Sequence, residues 1–194
     1  ITQTQNDMNK LNTTTTILLI LVSAITQWAF YDPYEFELTD QPPGEIQVVG
    51  NAGSEQVFTI EKWKINSLQW EPGNFESINI EILIDCKSLT HEWKDLEKNI
   101  KKKKDYFYVK KFPTALAKVN GVSKIDENTY TAEMELTLKG ITRSVPLTFR
   151  VDDLENFEIS GQGELNRRKF KFSGGGPKNE VPLRFSITLP SENI

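Results

Sequence analysis

The second half of the chain alternates apolar and polar residues over long stretches, which is the pattern of β-strands with one buried face. Apolar side chains occupy every second position over residues 130–138, with threonine or glutamate between them. The alternation resumes over 145–151 and again over 181–189. Strands of this kind turn their apolar faces toward one shared interior, which is either a packed core or an open apolar cavity.

The first half carries further strand patterns over residues 45–51, 56–60, 63–70 and 78–86. The last of these alternates most regularly. The apolar phase changes between residues 60 and 63, which predicts a bulge or break near Glu61 and Lys62.

Residues 92–104 change period, because Trp93, Leu96 and Ile100 lie three and four positions apart. This spacing predicts one short helix that packs against the strands through those three side chains. With about eight strands, one inserted helix and no alternation of strand with helix, the pattern predicts an all-β fold, an antiparallel barrel or sandwich. Two smaller predictions are a turn at Asn120–Gly121 and a short strand over 169–172.

The N-terminal region differs in kind from the rest. Lys10 and a polar stretch precede an apolar run over residues 17–25, which is much shorter than the ~20 residues of a membrane-spanning helix. Small residues at 22–24 predict a signal peptide that is cleaved after Ala24, with a membrane anchor or a first buried strand as the alternatives. The protein is then expected to be periplasmic or secreted.

The predicted organisation therefore has three parts. Residues 1–24 form an N-terminal extension and signal peptide, 25–44 form a linker and first turn, and 45–194 form the β-barrel domain. Residues 1–7 precede the first methionine, Met8, and their origin is open.

Composition excludes several classes of function. A net charge of −4 gives no broad electrostatic basis for nucleic-acid binding. A single cysteine excludes an internal disulfide and a structural zinc cluster, and we predict no metal site. The single histidine, His91, has no nucleophile or orienting partner nearby in the sequence, so we expect a surface or capping role and no catalytic residue.

Five segments follow one another in an order and spacing found in a known family. They are 84–89 (IDCKSL), 105–113 (DYFYVKKFP), 136–147 (LTLKGITRSVPL), 166–170 (NRRKF) and 179–183 (NEVPL). The ordered set resembles the YceI-like domains, and the resemblance extends over about residues 46–189.

The resemblance implies an extended, lipocalin-like antiparallel β-barrel of about eight strands with a long apolar cavity. It also implies an exported protein that carries a polyisoprenoid or similar acyl lipid, such as a prenyl quinone, a prenyl diphosphate or a fatty-acyl lipid, and no other cofactor. The sequence departs from the family pattern at Arg168 and Lys169, where serine and aspartate are usual, and at Lys171, where glycine is usual. The histidine–serine pair usual near the start is also missing. These departures leave the head group of a ligand open.

Eleven apolar residues are candidates for the cavity wall, with plain core packing as the alternative for each. They are Ile80, Ile82, Ile84, Cys86, Met134, Leu136, Leu147, Phe149, Leu183, Phe185 and Ile187. Cys86 and Met134 are the strongest candidates, because small or flexible side chains adapt to a chain-shaped ligand.

Three arginines are candidates for a polar head group: Arg143, Arg167 and Arg168. The alternative for Arg167 is a structural role that ties down one end of the barrel. The lysines at 101–104, 110 and 111 fit contact with an anionic membrane surface or a diphosphate, or else a solvated helix end.

The sequence thus leads to an exported, soluble carrier of a long-chain amphiphilic lipid, with peripheral membrane contact and a homodimer as further expectations and no nucleic-acid partner. The alternative is a structural or interaction domain whose interior is packed solid. Inward-pointing Trp63, Trp70, Phe149 and Phe185 would favour that alternative by filling the space. An enzyme is the third class, and no set of residues supports it.

Overall fold

Ten strands pair into one antiparallel sheet in the computed structural model, which describes residues 42–51, 53–175 and 178–194. The predicted signal peptide and its cleavage site after Ala24 lie outside the described residues, as does nearly all of the predicted linker. These two expectations remain predictions.

The strands follow the alternation of the sequence closely. They are β1 (Gly44–Asn51), β2 (Glu55–Ile60), β3 (Trp63–Glu71), β4 (Asn74–Asp85), β5 (Leu89–Thr90), β6 (Thr114–Lys124), β7 (Thr129–Leu138), β8 (Ile141–Asp153), β9 (Glu158–Asn166) and β10 (Glu180–Thr188). One α-helix, α1 (Lys94–Lys102), lies between β5 and β6, and short 3-10 turns occupy Cys86–Ser88 and Arg167–Phe170.

The sheet has the order β3-β4-β6-β7-β8-β9-β10-β1-β2-β5 and curls into a half-barrel. The prediction of an all-β, lipocalin-like antiparallel fold with one inserted helix is therefore confirmed. The strand count is ten instead of about eight. The predicted break at Glu61–Lys62 is present and separates β2 from β3. Strand β5 has only two residues, which is too short to show an alternation in the sequence.

Two local predictions are wrong. The predicted strand over 169–172 is instead the 3-10 turn Arg167–Phe170, which Lys171 ends in the left-handed region with φ 58°. The predicted turn at Asn120–Gly121 is a bulge within β6, because pairing with β7 shifts register between Asn120 and Ser123. Gly121, at φ 61°, supplies the positive φ that this bulge requires.

Helix α1 packs on the half-barrel through Leu96 and Ile100, as the periodicity predicts. Trp93 does not join them and is 60% exposed. Its backbone is still extended, with φ −83° and ψ 99°, so its side chain is not on the helical stripe that the spacing implied.

Glu97 forms ion pairs within α1, with Lys94 at 3.0 Å and Lys101 at 2.8 Å, and these pairs stabilise the helix. Hydrogen bonds from Lys101 and then Lys94 lower the pKa of Glu97 to about 2, so its stabilising contribution is present above the ordinary carboxyl pKa and lost as pH falls toward 2.

We expect the free energy of unfolding of Glu97→Gln to lie below that of the wild type at neutral pH and to converge with it between about pH 4 and pH 2. Chemical denaturation across this range measures the difference. Lys101→Gln should reduce the pH dependence, and a gap that stays constant down to pH 2 would contradict the assignment.

Aromatic side chains close one end of the half-barrel, which we call the aromatic end. The ring centroid of Trp70 lies 5.6 Å from that of Phe75 and 5.1 Å from that of Phe157. The ring centroids of Phe75 and Tyr130 are 5.6 Å apart. Residues 190–194 cover the edge of β3 here, because Leu68 and Ile194 exchange two backbone hydrogen bonds of 2.9 Å. The Trp70 Nε1 also donates to the Pro190 carbonyl at 3.0 Å. The opposite end, bordered by α1 and the β7–β8 turn, is the α1 end.

Gly161 on β9 lets two aromatic rings approach the same point of the sheet. A Cβ placed there would lie 2.6 Å from Phe149 Cβ, Phe185 Cζ and the Thr148 carbonyl oxygen. We expect Gly161→Ala to lower the free energy of unfolding by about 1–3 kcal/mol, since backbone and rings must move. Gly175→Ala is the matched control, because nothing lies within 4 Å of its Cβ position. Chemical denaturation of both variants checks this, and equal stabilities would show that the sheet relaxes freely at Gly161.

Candidate functional site

The inward faces of the strands enclose an apolar cavity between the aromatic end and the α1 end. About 200 Å³ of it is open to the centre of a water molecule, whereas a single buried water needs about 10–15 Å³ on that measure. Its lining comes from β1, β2, β4 and β6–β10, together with Ile100 of α1 and the loop that follows α1. The interior is therefore open and shaped by side chains from almost the whole sheet.

All eleven residues predicted for the wall line this cavity. They are Ile80, Ile82, Ile84, Cys86, Met134, Leu136, Leu147, Phe149, Leu183, Phe185 and Ile187. They converge because β-strand side chains alternate between faces, so that every second residue of β4, β7, β8 and β10 points inward. Their contact with a ligand remains a prediction.

Several residues that line the cavity were not among those predicted from the sequence. Ile46 and Val48 of β1 and Phe58 and Ile60 of β2 line the cavity, and the alternation of these two strands was a usable signal. Ala115 and Ala117 of β6 also line it, but side chains this small carry little signal of their own. Ala117 pairs with Ile82 on one side and Leu136 on the other, so its small side chain leaves room in mid-wall.

Cys86 lies at the end of β4 and is fully buried. Burial raises the pKa of its thiol to about 12, so the group is protonated at physiological pH and behaves as a small apolar side chain. This is the role the sequence suggested.

The large aromatic residues that could have filled the interior do not fill it. Trp63 and Trp70 are buried away from the cavity lining, and Trp70 belongs to the aromatic end. Phe149 and Phe185 form part of the wall and leave the space beside them open. The interior is not packed solid.

Arg167 lines the cavity at the α1 end, but its guanidinium donates hydrogen bonds to backbone carbonyls. Its Nε donates to the Lys178 carbonyl at 2.9 Å, and its Nη1 donates to those of Phe172 at 3.2 Å and Gly174 at 2.7 Å. Burial lowers the pKa of Arg167 from its usual value. This geometry matches the structural alternative, in which Arg167 holds the chain after the 3-10 turn.

The other two arginine candidates lie outside the cavity lining. Arg143 is exposed near the start of β8, in a part that pairs with β7 alone, since pairing with β9 begins at Leu147. Arg168 is exposed and its Nε donates to Asn179 Oδ1 at 3.1 Å. The structure thus brings only Arg167 of the three to the cavity, and a head-group role for any of them remains a prediction.

A buried lysine that no sequence pattern marks holds two loops together at the α1 end. Lys139, in the β7–β8 turn, donates from Nζ to the carbonyls of Lys104 at 2.8 Å and Lys171 at 3.1 Å. The ammonium also lies 4.7 Å from the ring centroid of Phe172, which lines the cavity. Burial lowers the pKa of Lys139 from its usual value. No periodicity could have shown that this turn residue joins two distant loops.

The two loops that Lys139 joins also bond to each other. The Ser173 hydroxyl donates to Asp105, and the Tyr106 hydroxyl donates to the Gly175 carbonyl at 2.9 Å. Phe107 meets Phe172 edge-on, with 5.1 Å between ring centroids. Tyr106 and Phe107 line the cavity, so these loops form its boundary at this end.

Helix α1 lies across the α1 end of the cavity. Just before the helix, the ring of His91 lies 4.5 Å from the ring of Phe58, a lining residue of β2. Just after the helix, the Lys104 carbonyl meets Lys139. His91 accepts the Trp93 backbone N–H at Nδ1, 2.9 Å away, but Trp93 is itself the N-cap residue and no side chain caps the helix. The predicted surface or capping role is therefore wrong on both alternatives, because His91 is also buried against Phe58.

Within residues 42–51, 53–175 and 178–194, no group of His, Cys, Asp and Glu is arranged to hold a metal ion. In the same part of the chain, no helix combines the length and the apolar content that crossing a bilayer requires.

Comparisons with known proteins place the cavity in a wider context. The family model for the YceI-like domain matches residues 47–189. BcnA of Burkholderia cenocepacia has a similar structure, with a TM-score of 0.67 and 18% identity over 78% of this chain and 100% of that one. The YCEI protein of Campylobacter jejuni gives a TM-score of 0.61 and 16% identity over 71% of this chain and 84% of that one.

A domain from Saccharophagus degradans, described as polyisoprenoid binding and implicated in plant cell wall breakdown, is also similar. Its TM-score is 0.55, with 11% identity over 78% of this chain and 97% of that one. At these identities the structural likenesses establish the fold alone. No curated protein matches the chain significantly.

Proposed function

Because the chain belongs to the YceI-like domain family, we propose that it is a binding protein that carries a polyisoprenoid or another long-chain amphiphilic lipid in its apolar cavity. The observation that carries this proposal is the open cavity with its almost wholly apolar wall. The polyisoprenoid binding described for the Saccharophagus degradans domain supports the same ligand class.

Apolar burial alone is sufficient for tight binding of such a ligand. Each buried CH₂-sized group contributes about 0.8 kcal/mol, so one five-carbon isoprenoid unit contributes about 4 kcal/mol. A chain of a few units therefore needs almost no polar contacts, and cavity length and shape select the ligand.

The charged residues of the lining favour an uncharged head group. Among the described lining residues these are Arg167 and Arg184. Arg167 donates to three backbone carbonyls, and Arg184 pairs with Glu55 at 2.7 Å. A diphosphate would compete with these bonds, whereas a quinone needs no counter-charge. We therefore propose a prenyl quinone or a similar neutral amphiphile ahead of a prenyl diphosphate or a fatty acid.

We also propose that the protein is exported to the periplasm or secreted after cleavage following Ala24. The apolar run over residues 17–25 and the small residues before the cleavage point support this. N-terminal sequencing of the exported protein should begin at Ile25, and retention of the uncleaved chain in the cytoplasm would contradict it. The homodimer remains a prediction.

The two other classes have less support. A packed interaction domain would need a filled interior, and the wall leaves about 200 Å³ open to a water centre. An enzyme would need polar groups that converge on a cleft, and the described lining residues supply an apolar surface instead. We propose that the protein binds its lipid without converting it.

Native mass spectrometry of the full chain, purified without detergent, tests the proposal, followed by solvent extraction and lipid analysis. We expect a co-purifying prenyl or acyl species at close to one per protein, or uptake of an added prenyl quinone. An apo mass that stays unchanged after incubation with prenyl quinones, prenyl diphosphates and fatty acids would overturn it and favour the interaction domain.

A further inference from the structure

The α1 end carries a strongly basic stretch on an acidic protein. Residues 98–111, which we call the basic segment, hold seven lysines and one aspartate, a net charge of +6, while the whole chain carries −4 and the remaining residues therefore −10. The segment covers the second half of α1 and the loop after it. Over the described residues outside the basic segment the net charge is −6, so this segment differs in sign from the described part of the protein around it.

The charge of the basic segment is available to a partner. Six of its lysines are exposed: Lys98, Lys102, Lys103, Lys104, Lys110 and Lys111. None of the six pairs with a carboxylate of the described residues, whereas Lys101 is held by Glu97 at 2.8 Å. Of the six, only Lys102 lies in the last turn of α1, where a cation complements the helix dipole, so the dipole does not account for the others.

The same segment forms the boundary of the cavity. Ile100, Tyr106 and Phe107 line the cavity from within, while the lysines beside them face solvent. Trp93, one residue before α1, is 60% exposed. An exposed tryptophan at the start of a helix whose second half carries exposed lysines is a combination that suits the interface between lipid head groups and acyl chains.

We propose that the basic segment and Trp93 form a docking surface for an anionic lipid bilayer, which sets the α1 end of the cavity against the membrane. This inference rests on the proposed function, since a lipid carrier must load and unload at a bilayer. The net negative charge of the other described residues favours this orientation, because an anionic surface attracts the basic segment more strongly than the rest. A nucleic acid would also use the lysines and stack its bases on Trp93, but it has no use for an apolar cavity behind them.

Vesicle co-sedimentation tests the docking surface. The full chain is mixed with vesicles of phosphatidylcholine alone or with about one-third phosphatidylglycerol, at about 0.1 M and about 1 M salt. We expect binding to the anionic vesicles, little binding to the neutral ones, and loss of most binding at high salt. Equal binding to both vesicle types, or to neither, would overturn the proposal.

Two sets of substitutions locate the surface. The triple variant Lys98→Gln, Lys102→Gln, Lys103→Gln should weaken binding to anionic vesicles about 100-fold, at about fivefold per lysine near the surface. The matched control Lys118→Gln, Lys124→Gln, Arg150→Gln makes the same change of charge at exposed positions of β6 and β8, away from the α1 end, and should bind as the wild type does. Trp93→Ala should weaken binding about tenfold at low salt. Equal losses in the triple variant and its control would contradict the assignment.

Lipid uptake is measured separately on the same variants by native mass spectrometry with a prenyl quinone in solution. Vesicle binding without uptake would leave docking standing and remove the carrier function. Lipid uptake without vesicle binding would support the carrier function and overturn the docking surface. Lysine-dependent binding of a labelled oligonucleotide, with no binding to vesicles, would overturn docking in favour of a nucleic-acid surface.

Discussion

Ala117→Phe is expected to weaken the binding of a prenyl quinone about 100-fold while the half-barrel remains folded. Ala117 lines the cavity between Ile82 and Leu136, so a phenyl ring there occupies space that the proposed ligand needs. Exclusion of one isoprenoid unit would remove about 4 kcal/mol of apolar burial, of which the new ring contact restores a part. Strain from the added ring should cost about 1–3 kcal/mol of stability at most, because the interior has open volume.

Titration with the quinone and thermal unfolding measure the two effects separately. Glu135→Phe is the matched control, since it adds an aromatic ring at an exposed position on the neighbouring strand β7. The control should bind the quinone as the wild type does. Wild-type affinity in Ala117→Phe would mean that the ligand does not enter this cavity, and the proposed function would lose its basis.

Arg167→Lys should lower the free energy of unfolding by about 3 kcal/mol. Arg167 donates to the carbonyls of Lys178, Phe172 and Gly174, and it is buried. A lysine keeps the charge, but its single nitrogen cannot reproduce the fork that reaches three carbonyls, and each buried carbonyl left unmet costs about 1–3 kcal/mol. The melting temperature should fall by about 10 °C for a domain of this size.

The neighbouring Arg168→Lys serves as the control, because Arg168 is exposed and its replacement should change stability by less than about 0.5 kcal/mol. Differential scanning calorimetry compares the two variants, and quinone titration follows on both. If Arg167→Lys melts with the wild type but loses affinity, Arg167 contacts the head group and its structural role is wrong.

The alternation of the sequence was sufficient to identify much of the candidate site. Ile80, Leu136 and Phe185 come from distant parts of the chain, yet each was assigned to the inner face correctly. This works because side chains of a β-strand alternate between its two faces whatever the neighbouring strands are. The alternation of apolar residues along one strand therefore identifies its inner face. Family resemblance added the lipocalin-like curl, which no single strand encodes.

Features that depend on contacts between distant segments were missed or misjudged. Trp93 lies in phase with the helical stripe, but the helix begins after it, and its side chain is exposed. Lys139 had the appearance of an ordinary turn residue until the fold brought the carbonyls of Lys104 and Lys171 to its ammonium. The two-residue β5 exists only because β2 lies beside it.

The sequence by itself determined the fold class and the face on which each strand residue lies, since both follow from local periodicity and from the need to bury one apolar face. Only the tertiary structure decided that the interior stays open. The open volume depends on how ten strands curl and on whether small residues such as Ala117 and Gly161 meet large ones across the sheet. That depends on side-chain volumes summed over distant residues, which no local pattern contains.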